Sequence, residues 1–465
     1  MCKRFFCVLF AAVLCFLTAV PAFNANAALY EKPDLELSSE HALVINLNTG
    51  VEVFGVKPDE TVFPASITKV LTAILVIENC TDLEEEVEVT HSALSRVDTI
   101  NHSNAGLIAG EQLTVRKLLE LLMVCSACDA ATVLAERVSG SEEAFAELMN
   151  AKADELGCTG THFVNSSGVH DANHYTTARD MGAIALYALK NPAFVEFFDM
   201  KQTKRPAYGN RPEKTFSTTN LLLIGSDPNY YKYATGGKTG TTTPAGRCLV
   251  STAKKGEDEY LCLVFGAAAE KGVNQAFPDT RKIYKWCFDN LSVVKVGTTE
   301  GAQFETKLRY AWNHDYVTLS VEEDVYAVMP NGADTTVNHD NEDGTATGLL
   351  VSVDIPDHLD APVAKGDPAG TAKFFYRDED GVVELATGAV VVYESVDRNF
   401  FSFIFTNIGA FFSSTPVLII FFVLLAALIG FIVFMIIRHS RSNRHRTTFR
   451  RRRSAKTNYR RSFRR

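Results

Sequence analysis

The run from Val417 to Ile437 constrains this chain more than any other stretch, because 21 consecutive residues carry no charge and are mostly Leu, Ile, Val and Phe. In lipid such a segment satisfies its backbone groups only by coiling into a helix. At about 1.5 Å per residue, 21 residues cross the hydrocarbon layer. A core helix of a soluble protein is rarely apolar on every face, so residues 417–437 are expected to be one membrane-spanning helix. Thirteen Lys and Arg follow between Arg438 and Arg465, with no acid among them. A tail of that charge is retained on the cytoplasmic side.

The opposite end is consistent with that orientation. Lys3 and Arg4 precede an apolar stretch from Phe5 to Val20, and Ala25-Asn26-Ala27 has the small-x-small pattern of a cleavage site. Residues 1–27 therefore read as a secretory signal peptide. The run is short for a span, which argues against an N-terminal anchor. The net charge is −9, and the tail's thirteen cations leave roughly −22 on everything before it. An acidic body argues against nucleic acid as a partner, and beside a span the basic tail is expected to meet anionic lipid. Seven cysteines lie beyond the signal. An odd number scattered through apolar segments reads as buried small hydrophobes rather than a disulfide framework.

Between these ends the texture changes once. Residues 28–290 mix strands and helices. His41 to Leu47 and Val51 to Phe54 flank a hairpin turn at Asn48-Thr49-Gly50. A helix is expected from about Ser66 through Ile77, two more on either side of Cys125 to Cys128, and another from Ser141 to Leu156. Residues 291–396 show short β-type runs broken by Gly, Pro, Asn and Asp, which predicts a small all-β domain. Residues 397–416 read as a Phe-rich juxtamembrane segment. The chain contains no repeat of solenoid period.

Three short motifs carry chemistry. In Ser66-Ile67-Thr68-Lys69 the hydroxyl and the amine lie three residues apart, on one face of a starting helix. Serine becomes a nucleophile when a base takes its proton, and Lys69 is that base when neutral, a form favoured by burial and a second nearby cation. Ser-x-x-Lys is a weak pattern without its context, which here is Pro64 before it and apolar residues after it. Ser126-Ala127-Cys128 is the second motif. The third, Lys238-Thr239-Gly240, offers a cation and a hydroxyl for a carboxylate, with Gly240 expected to admit the substrate backbone. The glycine spacing before Lys238 excludes a phosphate-binding loop.

In order and spacing the three motifs resemble those of the penicillin-binding proteins and serine β-lactamases. Pro64 to Lys69, Phe163 to Asp171, His174 to Ala178 and Lys238 to Val250 resemble most the low-molecular-weight D-alanyl-D-alanine carboxypeptidases. The resemblance covers residues 35–290. It implies an α/β (α+β) serine-transferase core, with a helical lobe packed on an antiparallel sheet, followed by the small β domain and the C-terminal anchor. It further implies that Ser66 is acylated, that Lys69 is its base and that Ser126 relays protons. Lys238 and Thr239 would then hold the substrate carboxylate, and the backbone N–H groups of Ser66 and Thr241 the oxyanion. No cofactor or metal is implied. The partners implied are peptidoglycan stem peptides ending in D-Ala-D-Ala, β-lactams as inhibitors, and the bacterial cell membrane, with the catalytic domain outside. His170, Asp171 and His174 read as a loop-ordering segment.

One departure stands out. Where the family has Asn in the second motif, this chain has Cys128, and a thiol is a weak donor and acceptor. The Cys125-x-x-Cys128 pair adds a redox or metal alternative. Two other functions stay open: a β-lactamase, disfavoured because no Glu-x-x-Leu-Asn segment lies between Ser126 and Lys238, and a non-catalytic penicillin-binding sensor.

Overall fold

The computed structural model describes residues 29–30, 33–270, 272–301, 303–312, 314–339, 346–378, 381–399, 401 and 419–439. The expected signal peptide, most of the juxtamembrane segment and the tail beyond His439 lie outside them. The described residues fall into two compact units. One is drawn from Met1–Thr299, Val321–Asp354 and Thr371–Ala389, the other from Glu300–Ser320, Ile355–Gly370 and Val390–Arg465.

The first unit is organised on a five-stranded antiparallel sheet. Its strands are β1 (His41–Asn46), β2 (Glu52–Val56), β3 (Ala234–Thr242), β4 (Gly246–Lys255) and β5 (Asp258–Ala267), in the order β2-β1-β5-β4-β3. Successive side chains of a strand point to opposite faces, and here both faces are covered. Leu43, Ile45, Leu261, Leu263 and Phe265 enter one core with the helices of the lobe. Ala42, Val44, Tyr260, Cys262 and Val264 enter a second core with helix α6 (Ala276–Asn290). All six residues of β1 are buried, and its four central residues, 42–45, read as an unbroken apolar run rather than an alternation.

The lobe contains α1 (Lys69–Asn79), α2 (Val115–Val124), α3 (Cys128–Ser139), α4 (Glu142–Glu155) and α5 (Ala178–Leu189). Every residue of α1 from Lys69 to Val76 is buried, so α1 is the central helix of the lobe. Caps set the other boundaries: Thr114 accepts from Lys117 N–H, Ser141 accepts from Ala144 N–H, and left-handed Gly140 ends α3. One boundary differs from expectation. The α-helix begins at Lys69, and Ser66 lies in a preceding 3₁₀ turn, Ala65–Thr68.

From Leu291 to Val392 every regular element among the described residues is a strand. In the first unit Leu291–Gly297 pairs antiparallel with Val325–Pro330, and Gly348–Asp354 with residues 371–377. In the second, residues 304–307 pair antiparallel with 316–319, and residues 307–309 run parallel to His358–Asp360. Ile419–His439 is one helix of 21 residues, long and apolar enough to cross a membrane.

Candidate active site

The turn that carries Ser66 is strained. Ala65 has φ +48° although it is not glycine, and Ser66 follows at once. Lys69 stands one turn later on α1, fully buried, and its Nζ lies 3.0 Å from Ser66 Oγ. The same amine donates to the Ser167 carbonyl at 2.6 Å and lies 3.4 Å from Cys128 Sγ.

A second hydroxyl–amine pair adjoins the first. Ser126 connects α2 to α3 with φ +61°, and its Oγ receives Lys238 Nζ at 2.9 Å. Its segment is fixed by the carboxylate of buried Asp129, which accepts N–H bonds from Ala105, Leu107 and Ala130. Lys238 is fully buried on β3, and its other bond is to the Thr239 carbonyl at 2.8 Å. Burial first, and the charge of Lys69 second, push the Lys238 amine well below the usual lysine range.

Thr239 and Thr241, on either side of buried Gly240, lie nearer the surface than Lys238. Thr239 Oγ1 donates to Thr219 Oγ1 at 2.6 Å, and exposed Thr241 accepts from Arg247 Nη1 at 3.1 Å. Ser66 and Cys128 form the floor of an open cleft whose rim includes Asn101, His102, His170 and Thr241. The sequence assigns Gly240 to substrate approach, but its missing side chain is occupied by the protein itself. A Cβ there would stand 2.9 Å from the Pro64 carbonyl and 3.2 Å from Ser66 N. Gly168 meets the same turn from the other side, where a Cβ would fall 1.8 Å from the Ala65 carbonyl. Both glycines let backbone press against the turn that carries Ser66.

The segment from Phe163 to His174 works through its backbone. Val164 N–H donates to His174 Nδ1, which leaves the proton on Nε2, 2.8 Å from Thr68 Oγ1. Thr68 in turn donates to the Ala65 carbonyl at 2.8 Å. Burial pushes the His174 imidazole down to about 4, so it is a neutral strut. Glu142 Oε1 accepts both the N–H and the hydroxyl of Ser166, and burial pushes its carboxyl upward. That fixes the residue before the carbonyl bonded to Lys69.

Sequence reasoning missed the Ser167 carbonyl, Glu142 and Arg247. A backbone carbonyl leaves no mark in residue type. Arg247 was findable from the β3–β4 pairing, which sets it opposite Thr241. All seven cysteines beyond the signal are free thiols, and burial pushes Cys125 up to about 12. Among the described residues no group of three or more His, Cys, Asp or Glu is disposed to hold a metal ion.

This fold, with two serine–lysine pairs set between a sheet and a helical lobe, defines the active-site serine transferases that react with penicillin. Residues 26–269 match the D-alanyl-D-alanine carboxypeptidase family, and residues 297–398 match the penicillin-binding protein 5 C-terminal domain. The chain belongs to the D-alanyl-D-alanine carboxypeptidase family. It is 28% identical over 424 residues to D-alanyl-D-alanine carboxypeptidase DacF of Bacillus subtilis, covering 88% of this chain and 98% of that protein. It is 32% identical to the D-alanyl-D-alanine carboxypeptidase of Streptomyces sp. strain K15, over 52% of this chain and 85% of that one. Penicillin-binding protein 5 from Haemophilus influenzae shares its fold with a TM-score of 0.65 at 23% identity, over 79% of this chain and all of that one.

Proposed function

We propose that the chain removes the terminal D-alanine from peptidoglycan stem peptides through an ester on Ser66, and that penicillin acylates the same serine. The observation carrying this reading is the 3.0 Å bond between Lys69 Nζ and Ser66 Oγ, with the Ser126–Lys238 pair beside it. Lys69 takes the proton as Ser66 Oγ attacks the carbonyl between the two D-alanines. The oxyanion is received by the N–H groups of Ser66 and Thr241. As the C–N bond breaks, Ser126 passes a proton from the paired amines to the departing D-alanine. Water then hydrolyses the ester. Thr239 and Thr241 are the accessible hydroxyls for the terminal carboxylate, with Arg247 beside them and Lys238 behind. The Ser167 carbonyl orients Lys69.

Intact mass of penicillin-treated protein, with peptide mapping, should find one adduct on Ser66, and Ser66→Ala should abolish it together with D-alanine release. An adduct on another serine would overturn the assignment.

Cys128 supports a second reading, a penicillin-binding sensor with little turnover, because its thiol is the group facing Lys69 at 3.4 Å. Measured release of D-alanine separates the two. The division into residues 1–27, 28–290, 291–396, 397–416, 417–437 and 438–465 forms part of the proposal, as does a catalytic body outside the bacterial membrane with the arginine tail inside.

A further inference from the structure

On the face of the sheet opposite α1, a second groove lies between α6 and the start of β3. It has a volume of about 480 Å³. Its floor is aromatic and fixed. Tyr231 stacks on buried Tyr284 at 5.8 Å and 9°, and Tyr284 is held by two hydrogen bonds to Ser251. Tyr233 meets Tyr231 edge-on at 5.6 Å. The rim carries five cations, Lys232, Lys255, Arg281, Lys282 and Lys285; Asp289 pairs with Lys285 and buried Asp279 lies 3.8 Å from Lys282, which leaves the rim net positive. Lys232 stands 4.6 Å over the Tyr233 ring, and Lys255 lies 5.8 Å from the rings of Tyr233 and Phe288.

This concentration of positive charge sits on a body of net charge near −22. A polymer whose stem peptides end in free carboxylates is itself polyanionic, and such a body repels it except where cations gather. Fixed aromatic faces suit the apolar faces of sugar rings, and the surrounding amines suit carboxylates. A groove suits a strand, whereas a membrane surface calls for a convex face. We propose that this groove docks the peptidoglycan strand itself, away from the cleft that cuts its peptides. The proposal rests on the reading of the cleft as a stem-peptide carboxypeptidase.

The test uses the full chain in detergent, with Lys232→Glu/Lys285→Glu as the variant. Lys232 is exposed and the Lys285 side chain is 75% exposed, so charge reversal leaves the core untouched. In a Ser66→Ala background, retention on insoluble peptidoglycan should fall about tenfold, as should retention of the unreversed chain when salt rises from about 0.05 to about 0.5 M. In the active chain, kcat/KM on polymeric peptidoglycan should fall by a similar factor. Acylation by penicillin and hydrolysis of a short soluble D-Ala-D-Ala peptide should stay unchanged, which also reports an intact fold. If acylation falls too, Lys232→Gln/Lys285→Gln replaces the reversal and should weaken retention about threefold. Equal retention of variant and parent overturns the proposal. So does retention that vanishes when phosphate-bearing wall polymers are stripped from the peptidoglycan, since the ligand would then be the phosphate polymer. A chain that releases no D-alanine from any peptide removes the carboxypeptidase reading, while retention still reports on the groove.

Discussion

Cys128 occupies the position where the family's second motif has an asparagine amide, and its thiol lies 3.4 Å from Lys69 Nζ and 3.9 Å from the Ser126 carbonyl. An amide would donate to the substrate and accept from the lysine at once, and a thiol does neither well. Losing one such group at a reacting centre is worth about a hundred- to a thousandfold in rate. A strained β-lactam ring tolerates the loss better than an unstrained peptide. Cys128→Asn should therefore raise peptidase kcat/KM at least about tenfold, with a smaller change in penicillin acylation. Unchanged or lower peptidase activity would mean that the site is rebuilt around sulfur. His174 makes a different prediction. Its imidazole titrates near 4 when folded and near 6.5 when unfolded. The unfolded chain binds the proton first as pH falls, so stability is lost between those values, by about 3 kcal/mol in all. Glu142, whose carboxyl is raised by burial, slopes the other way, because its stability falls as pH rises. His174→Gln should flatten the acid-side drop of the melting temperature. An identical drop in the variant would assign the loss to other groups. Ser66, Lys69, Ser126 and Lys238 stand together in the structure, and the sequence singled them out through the family resemblance of their motifs rather than through spacing alone. The His174–Thr68–Ala65 chain was legible only as a loop-ordering segment, since its purpose is to fix a carbonyl.

At the scale of elements, β3 does more than carry Lys238. Its pairing with β4 sets Gly240 opposite Cys248, and the bare glycine lies against the Pro64–Ser66 turn. Gly240→Ala would drive a Cβ to 2.9 Å from the Pro64 carbonyl, so strand or turn has to give by a few tenths of an ångström. Small displacements at a reacting centre cost far more in rate than in stability. Acylation of Ser66 by penicillin should slow by about ten- to a hundredfold, with the melting temperature within a few degrees of the parent. A variant that acylates normally would show that the strand adapts freely. The helices on both sides of Cys125 to Cys128 and the helix after Ser141 were readable from apolar spacing and caps. The start of α1 was not, because Ser66 sits in a 3₁₀ turn enforced by tertiary contacts with Gly168 and Gly240. β1 was legible as a strand, but its burial on both faces depends on α6, which lies some 230 residues away in sequence.

At the scale of the whole molecule, charge and hydropathy argue for the proposed topology. Ile419–His439 presents apolar side chains around its whole circumference, with Ile420, Phe422, Leu424 and Phe431 all more than half exposed. Water does not tolerate so long an uncharged run, residues 419–437, on one helix, and a bilayer does. In the proposed orientation, the arginine-rich tail beyond it stays on the cytoplasmic side, and the acidic body ahead of it places its cleft outside, where the peptidoglycan polymer lies. In that orientation the same tail has charge enough to draw anionic lipid to the inner surface. Protease added to intact cells should therefore degrade the body and leave an epitope placed after Arg465 protected until the membrane is opened. Replacing the arginines from Arg450 to Arg453 with glutamate should weaken that retention and give a mixed orientation, visible as partial protection of the body. A body fully protected in the parent chain would place the cleft on the wrong side of the membrane for its substrate. The membrane orientation and the carboxypeptidase reading would then fall together.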